Sequence, residues 1–147
     1  MLSVSCAAKE TAEPESNMNQ TQAEEQIEAY VINAVEEFPV SVELSSVNDP
    51  AFPSCEGEPG DENHTVQVRH SFWIDGAPED KNEEIAESLH AFWEAGNWEI
   101  IRDDRPENIL IEAKSGVDQF RMKLVVSQDG RPSLSGYSPC VQADEES

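Results

Sequence analysis

Basic residues are scarce in this sequence. Nine Lys and Arg stand against 31 Asp and Glu in 147 residues, which gives a formal net charge of −22. Proteins that bind nucleic acids need a basic patch that contacts phosphates, so this balance argues against a nucleic-acid partner. It argues equally against direct binding to anionic lipid headgroups.

Long apolar runs and aromatic side chains are also scarce. The chain lacks the run of about 18 apolar residues that a transmembrane helix needs, so we expect no membrane-spanning segment. Apolar residues make up 37% and aromatic residues 7%, which favours a compact core with polar tails. We therefore predict a disordered tether over residues 1–20, one domain over residues 21–141 and a disordered acidic tail over residues 142–147.

Motifs of the common enzyme classes are missing. The sequence has no G-x-S-x-G, no phosphate-binding glycine loop and no H-E-x-x-H, and its histidines His64, His70 and His90 are scattered. His70 is interpreted as a buried, hydrogen-bonded residue. The acidic loop 56–64 lacks the ligand spacing of a calcium loop. We predict a non-enzymatic protein with no catalytic residues, no cofactor and no metal site.

Two of the three cysteines lie in the predicted domain. Cys55 lies in a segment rich in Pro and Gly, and Cys140 ends the last predicted strand. We predict a disulfide between them, which would close a loop of roughly 85 residues and contribute about 4 kcal/mol to stability. Such a bridge persists only in an oxidising compartment, so the pair predicts an extracytoplasmic protein. The alternative is two free thiols in a cytosolic protein.

The third cysteine, Cys6, lies in the tether between short apolar and small residues. Leu2-Ser3-Val4-Ser5 before it and Ala7-Ala8 after it resemble the end of a bacterial lipoprotein signal. The layout of a tether cysteine, an acidic linker, a small body and a closing Ser138-Pro139-Cys140 resembles small secreted lipoproteins of high-GC Gram-positive (actinobacterial) bacteria. This resemblance implies export and a lipid anchor on Cys6. The alternative is a chance cysteine in a disordered end.

Apolar periodicity predicts two helices. From Thr21 to Phe38 the apolar residues fall on one helical stripe, with a capping box of Thr21 and Glu24 and a stop at Pro39. A second capping box at Asp80-Lys81-Asn82-Glu83 precedes another helical stripe, which ends at Gly96. Both helices carry glutamates on their other faces, which we interpret as solvated surface.

Strand patterns fill the remaining body. Val40 to Leu44 indicates a short strand, residues 48–63 a long loop, and Thr65 to Ile74 a strand with one buried face. Four more segments, separated by turns, indicate a meander. These segments are 98–103, 108–114, 119–127 and 133–137. The order predicts an α+β fold, a two-layer sandwich with two helices on one face of a mainly antiparallel sheet that ends in a β-meander.

Turn positions also predict a register. A loop at residues 115–118 would place Ile111 opposite Met122 and Glu112 opposite Arg121, and a turn at 104–107 would place Ile100 opposite Ile111. This register predicts one buried face for the meander. Its members are Trp98, Ile100, Ile109, Ile111, Phe120, Met122, Leu124 and Val126.

The acidic residues are unevenly distributed. Residues 21–37, 49–62 and 79–94 each carry a net charge of −5, whereas residues 98–131 hold seven acids and six bases. A charge-balanced surface with an apolar centre is typical of a protein interface. We therefore predict a partner-binding face on the solvent side of the meander. It consists of Ile101, Leu110, Glu112, Arg121, Lys123 and Val125.

Three functional hypotheses follow. The first is an exported, lipid-anchored cell-envelope domain that binds an unknown protein through the meander and meets the membrane only through Cys6. The second is an acidic inhibitor or immunity-like protein whose glutamate-rich helices cover a basic enzyme. The third is a small envelope enzyme, which a deep pocket with converging polar side chains would favour.

Overall fold

Two α-helices pack against one face of a seven-stranded antiparallel sheet that is not closed into a barrel. These elements come from a computed structural model that describes residues 18–144. The helices are α1 (Gln20–Val35) and α2 (Asn82–Ala95), the latter preceded by a 3₁₀ turn at Glu79–Lys81. The strands are β1 (Glu43–Ser46), β2 (Ser54–Glu56), β3 (Thr65–Asp75), β4 (Trp98–Asp103), β5 (Leu110–Ser115), β6 (Arg121–Val126) and β7 (Pro132–Gln142).

The strand order is β1-β3-β7-β6-β5-β4, with β2 also paired to β3. The predicted α+β architecture is confirmed, and β4 to β7 form the predicted meander. The last strand is longer than predicted, because it continues to Gln142 and pairs with β3 along most of that strand. As a result, β7 lies in the middle of the sheet.

The helix starts differ from the prediction. Asn19, in extended backbone conformation, accepts a hydrogen bond from the Gln22 amide, and the Gln22 side chain accepts one from the Asn19 amide. This pair replaces the predicted capping box of Thr21 and Glu24. Asp80 does not cap α2 because it lies inside the 3₁₀ turn, where the backbone is already helical. Gly96 ends α2 as predicted.

The core lies between the helices and the inner face of the sheet. The alternation predicted for β3 is confirmed, since Val66, Val68, His70, Phe72 and Ile74 are all buried. Of the predicted meander residues, four are fully enclosed: Ile111, Phe120, Met122 and Leu124. The other four are half-buried, because they lie on the edge strand β4 or at strand ends: Trp98, Ile100, Ile109 and Val126.

The predicted register is wrong by two residues. Ile111 lies opposite Leu124 instead of Met122, and Glu112 lies opposite Lys123 instead of Arg121. The cause is a one-residue displacement of the turn, since Ser115 donates its amide to the Phe120 carbonyl and the loop is therefore 116–119. In the β4–β5 pair, Ile100 lies opposite Ala113, and a bulge follows. A shift of two keeps the side chains of β5, β6 and the start of β4 on their predicted faces, whereas the bulge places Arg102 opposite Glu112.

The segment 48–63 is more ordered than the predicted loop. Ala51 forms an isolated bridge with Arg69, and Ser54 pairs with Val66. The segment therefore runs along β3 as an added edge. Proline and glycine hide this pairing in the sequence because they interrupt the apolar alternation by which strands are recognised.

Candidate functional site

Cys55 and Cys140 form the predicted disulfide. Their sulfur atoms are 2.04 Å apart, and their Cα atoms are 6.2 Å apart. Cys55 belongs to β2 and Cys140 to β7, and both strands pair with β3. The bond therefore fastens the Pro- and Gly-rich segment to the centre of the sheet and indicates an oxidising, extracytoplasmic environment. Cys6, the predicted lipidation site, lies outside the described residues.

The face of the sheet that is turned away from the helices, here called the outer face, brings the predicted partner residues together. Leu110 lies opposite Val125, and Glu112 lies opposite Lys123. Ile101 on β4 is 43% exposed. Within residues 18–144, both helices contact the sheet from the other side. The outer face also includes Arg69, Ser71, Trp73, Glu99, Lys114, Arg121, Ser133, Ser135 and Tyr137.

Basic side chains are concentrated on the outer face. It holds six of the nine Lys and Arg of the chain: Arg69, Arg102, Lys114, Arg121, Lys123 and Arg131. Arg121 donates to Glu112 at 2.5 Å, so the predicted opposite-charge contact exists as a diagonal pair. Arg131 donates to Asp75 at 3.1 Å. Hydrogen bonds from Ser45 and Arg131 lower the pKa of Asp75.

Two aromatic rings on the outer face contact cations. The Arg131 guanidinium lies 3.9 Å from the Trp73 ring centroid. Arg121 and Lys123 lie 4.9 and 5.7 Å from the Tyr137 ring centroid. Such contacts hold the long basic side chains against the sheet. The sequence places Trp73 on this face by alternation, but the contacts with Tyr137 depend on the β6–β7 pairing and have no signal in the sequence.

Acidic side chains dominate the helical layer. His90 on α2 lies 3.6 Å from Glu94 and 3.7 Å from Asp103. Asp103 accepts hydrogen bonds from Arg105. These bonds, with a smaller electrostatic contribution from His90, lower the pKa of Asp103 to about 2. Within residues 18–144, none of the five glutamates of residues 24–37 forms an ion pair with a Lys or Arg. The helical layer therefore has a negative surface, as predicted.

A shallow cleft of about 550 Å³ lies beside the start of α2. Glu79, Asp80, Glu83 and Glu107 contribute carboxylates to its lining, which contains no histidine, cysteine or lysine. Asn82 in this lining donates to the Gly130 carbonyl. Asn108, Ser127 and Gln128 supply further polar side chains to the lining.

His70 is buried and hydrogen-bonded, as predicted, with its Nε2 3.0 Å from Ser46 Oγ. The structure also places Glu24 and Glu28 of α1 beside it. The sequence did not predict this cluster, because both glutamates were expected on the solvated side of the helix. Their spacing of four residues was the available signal, since such residues share one helical face.

Comparisons with protein-family models, curated proteins and solved structures find no match. In the part of the chain that is described, neither helix is long and apolar enough to cross a bilayer.

Proposed function

We propose that the protein is a non-enzymatic, exported domain of the cell envelope that binds another protein through its outer face. The Cys55–Cys140 disulfide supports the extracytoplasmic location. The observation that carries the binding proposal is the concentration of six of the nine basic residues on one sheet face, in a chain of net charge −22.

The chemistry of this surface indicates which kind of partner surface it would fit. Leu110 and Val125 form a half-buried apolar pair, and Ile101 is exposed nearby. Arg121 and Lys123 lie beside them, partly held in place by the Tyr137 ring. An apolar centre surrounded by charges of both signs, among them Glu112, Arg121 and Lys123, fits a protein surface that offers apolar side chains ringed by complementary charges. Aromatic and arginine side chains are also the groups most enriched at interface centres.

The anchor is a second part of the proposal. We propose that Cys6 carries a lipid and becomes the mature N-terminus, so that the tether holds the domain at the membrane. Mass spectrometry of the protein from its native membrane fraction tests this step. We expect a chain that starts at Cys6 and carries a diacylglycerol. An intact N-terminus with an unmodified Cys6 thiol would contradict the anchor and leave the binding proposal standing.

Site-specific photocrosslinking tests the binding face. A photoreactive residue at Val125 or Ile101 reports on the outer face, and one at Glu25 or Glu87 reports on the helical layer. In native cells, we expect a discrete crosslinked species from the outer-face positions only. The double variant R121E/K123E should abolish that species, whereas the matched reversal E25K/E87K should leave it intact.

The acidic-inhibitor hypothesis predicts the opposite pattern. It is supported by the net charge of −5 in residues 21–37, which would attract a basic enzyme to α1. Crosslinks from Glu25 or Glu87 that E25K/E87K abolishes would establish this alternative. Crosslinks that are absent from all four positions, or that R121E/K123E leaves unchanged, would contradict the outer-face proposal.

A further inference from the structure

Two glutamates and a histidine converge where α1 crosses β3. One carboxylate oxygen from Glu24, one from Glu28 and a ring nitrogen of His70 all lie within 4.8 Å of one another. Glu24 is half-buried and Glu28 is exposed, so the cluster opens towards solvent on one side. His70 closes the other side, because it is only 6% exposed.

The His70 ring has one nitrogen engaged and one without a partner. Nε2 lies 3.0 Å from Ser46 Oγ, whereas Nδ1 is buried and forms no hydrogen bond. A buried polar atom without a partner costs free energy, so it calls for a ligand. When Nε2–H donates to the serine oxygen, Nδ1 presents its lone pair. Histidines that bind metals usually have their other ring nitrogen fixed by such a hydrogen bond.

A glycine permits the close approach that forms this cluster. Gly136 lies opposite His70 in the β3–β7 pair. A Cβ atom at position 136 would lie 2.5 Å from Cγ2 of Ile27, so Gly136 lets α1 approach the sheet closely at this point. Glu24 and Glu28 flank Ile27 on the same helix and therefore reach the His70 ring.

The donor set selects the type of ion. Two carboxylates and one imidazole give mixed oxygen and nitrogen ligands, which suit Zn²⁺, whereas Mg²⁺ and Ca²⁺ prefer oxygen ligands alone. Zn–N and Zn–O bonds of about 2.0–2.2 Å require the donors to move closer together. The two glutamate side chains can supply that movement because they are long and partly solvent-exposed.

We propose that Glu24, Glu28 and His70 form a binding site for a divalent transition-metal ion of the Zn²⁺ type, with water completing the coordination. The ion would join α1 to β3 and accept the lone pair of Nδ1. This inference revises the expectation of no metal site and does not depend on the protein-binding function.

Calorimetric titration of the disulfide-intact full chain with Zn²⁺ tests the site, together with NMR of the histidine ring nitrogens. We expect one Zn²⁺ per chain and a large shift of the His70 Nδ1 resonance. E28Q should weaken binding by at least the roughly 10- to 100-fold typical of changes around a metal ligand. Glu28 is exposed, so this variant should still fold. E25Q, on the exposed side of the same helix, should leave the affinity within about twofold.

A second histidine with acidic neighbours provides the control. His90 has Glu94 and Asp103 near its two ring nitrogens, at 3.6 and 3.7 Å. H90Q should leave the affinity unchanged. Loss of binding in H90Q, wild-type affinity in E28Q, or an unmoved His70 resonance at saturating Zn²⁺ would each overturn the proposal. Equal binding of Mg²⁺ and Zn²⁺ would also overturn it, since it would indicate a site formed by carboxylates alone.

Discussion

The helical layer and the outer face of the sheet differ in how charge is arranged. In the helical layer, residues 21–37 carry a net charge of −5. On the outer face, Glu112 and Asp75 contact Arg121 and Arg131, and additional bases lie nearby. The net charge of −22 is therefore unevenly distributed between these two regions. The difference teaches that net charge governs long-range attraction, whereas the local pattern of a face determines what can dock there.

The disulfide should have the largest effect on how these regions are held together. It fastens the acidic segment 49–62 to the sheet, so the double variant C55A/C140A should lose about 4 kcal/mol of unfolding free energy. Denaturant titration measures this loss, and C6A is the matched control that should show none. If C55A/C140A unfolds at the wild-type midpoint, the acidic segment is held by strand pairing alone.

Gly136 controls the distance between the helical layer and the sheet. The Cβ atom of G136A would meet the Ile27 side chain, and such overpacking should cost about 1–3 kcal/mol. S133A, three residues away on the outer face, should change the unfolding free energy far less. Equal stability of the two variants would show that α1 does not pack closely over β7.

Tyr30 links the acidic helix to the β5–β6 turn, since its hydroxyl donates to Asp118 at 2.5 Å. Burial raises the pKa of Tyr30 above the ordinary 10.0, and the hydrogen bond to Asp118 and its negative charge raise it further. The fold therefore favours the protonated phenol. This stabilisation is complete below pH 10.0 and is lost as the pH rises above that value.

Y30F should remove this dependence of stability on high pH. It should also cost about 1 kcal/mol near neutral pH, because the hydrogen bond is lost. Thermal melts of wild type, Y30F and the control Y137F across the alkaline range measure both effects. A melting temperature of Y30F that falls above pH 10.0 as steeply as the wild type would contradict the assignment.

The smallest effect is expected for the outer-face ion pair. R121Q removes the contact with Glu112, which should lower the unfolding free energy by less than about 1 kcal/mol because the pair is partly exposed. K81Q breaks the more distant helical pair with Glu84 and should cost less still. Chemical denaturation of R121Q, E112Q and the double variant isolates the pairwise energy. A coupling energy of zero would mean that Arg121 and Glu112 contribute to stability independently of each other.

The sequence predicts on which face of the sheet a residue lies better than it predicts which residue lies opposite it on the neighbouring strand. In β3, the alternation of Val66, Val68 and Phe72 with polar residues depends only on local geometry, and the structure confirms it. The register of Ile111 depends on where the turn falls, and a displacement by one residue changes its partner from Met122 to Leu124. The pairing of β2 depends on contacts with β3, which no local pattern encodes.

The same distinction applies to the functional residues. The outer-face members Glu112, Arg121 and Lys123 were predictable because the two-residue period determines their face. The convergence of Glu28 and His70 was not, because it requires knowing how α1 crosses the sheet. That crossing depends on close packing at Gly136, and a glycine in a strand does not reveal in the sequence which side chain will approach it.

The central place of β7 has a consequence for how the molecule assembles. This strand joins β3 on one side to β6 on the other. A chain that has emerged only as far as residue 131 therefore has two half-sheets with unsatisfied edges and no way to connect them. The two halves of the sheet can therefore join only when the C-terminal segment is present, so folding should be cooperative and should depend on contacts between distant parts of the chain.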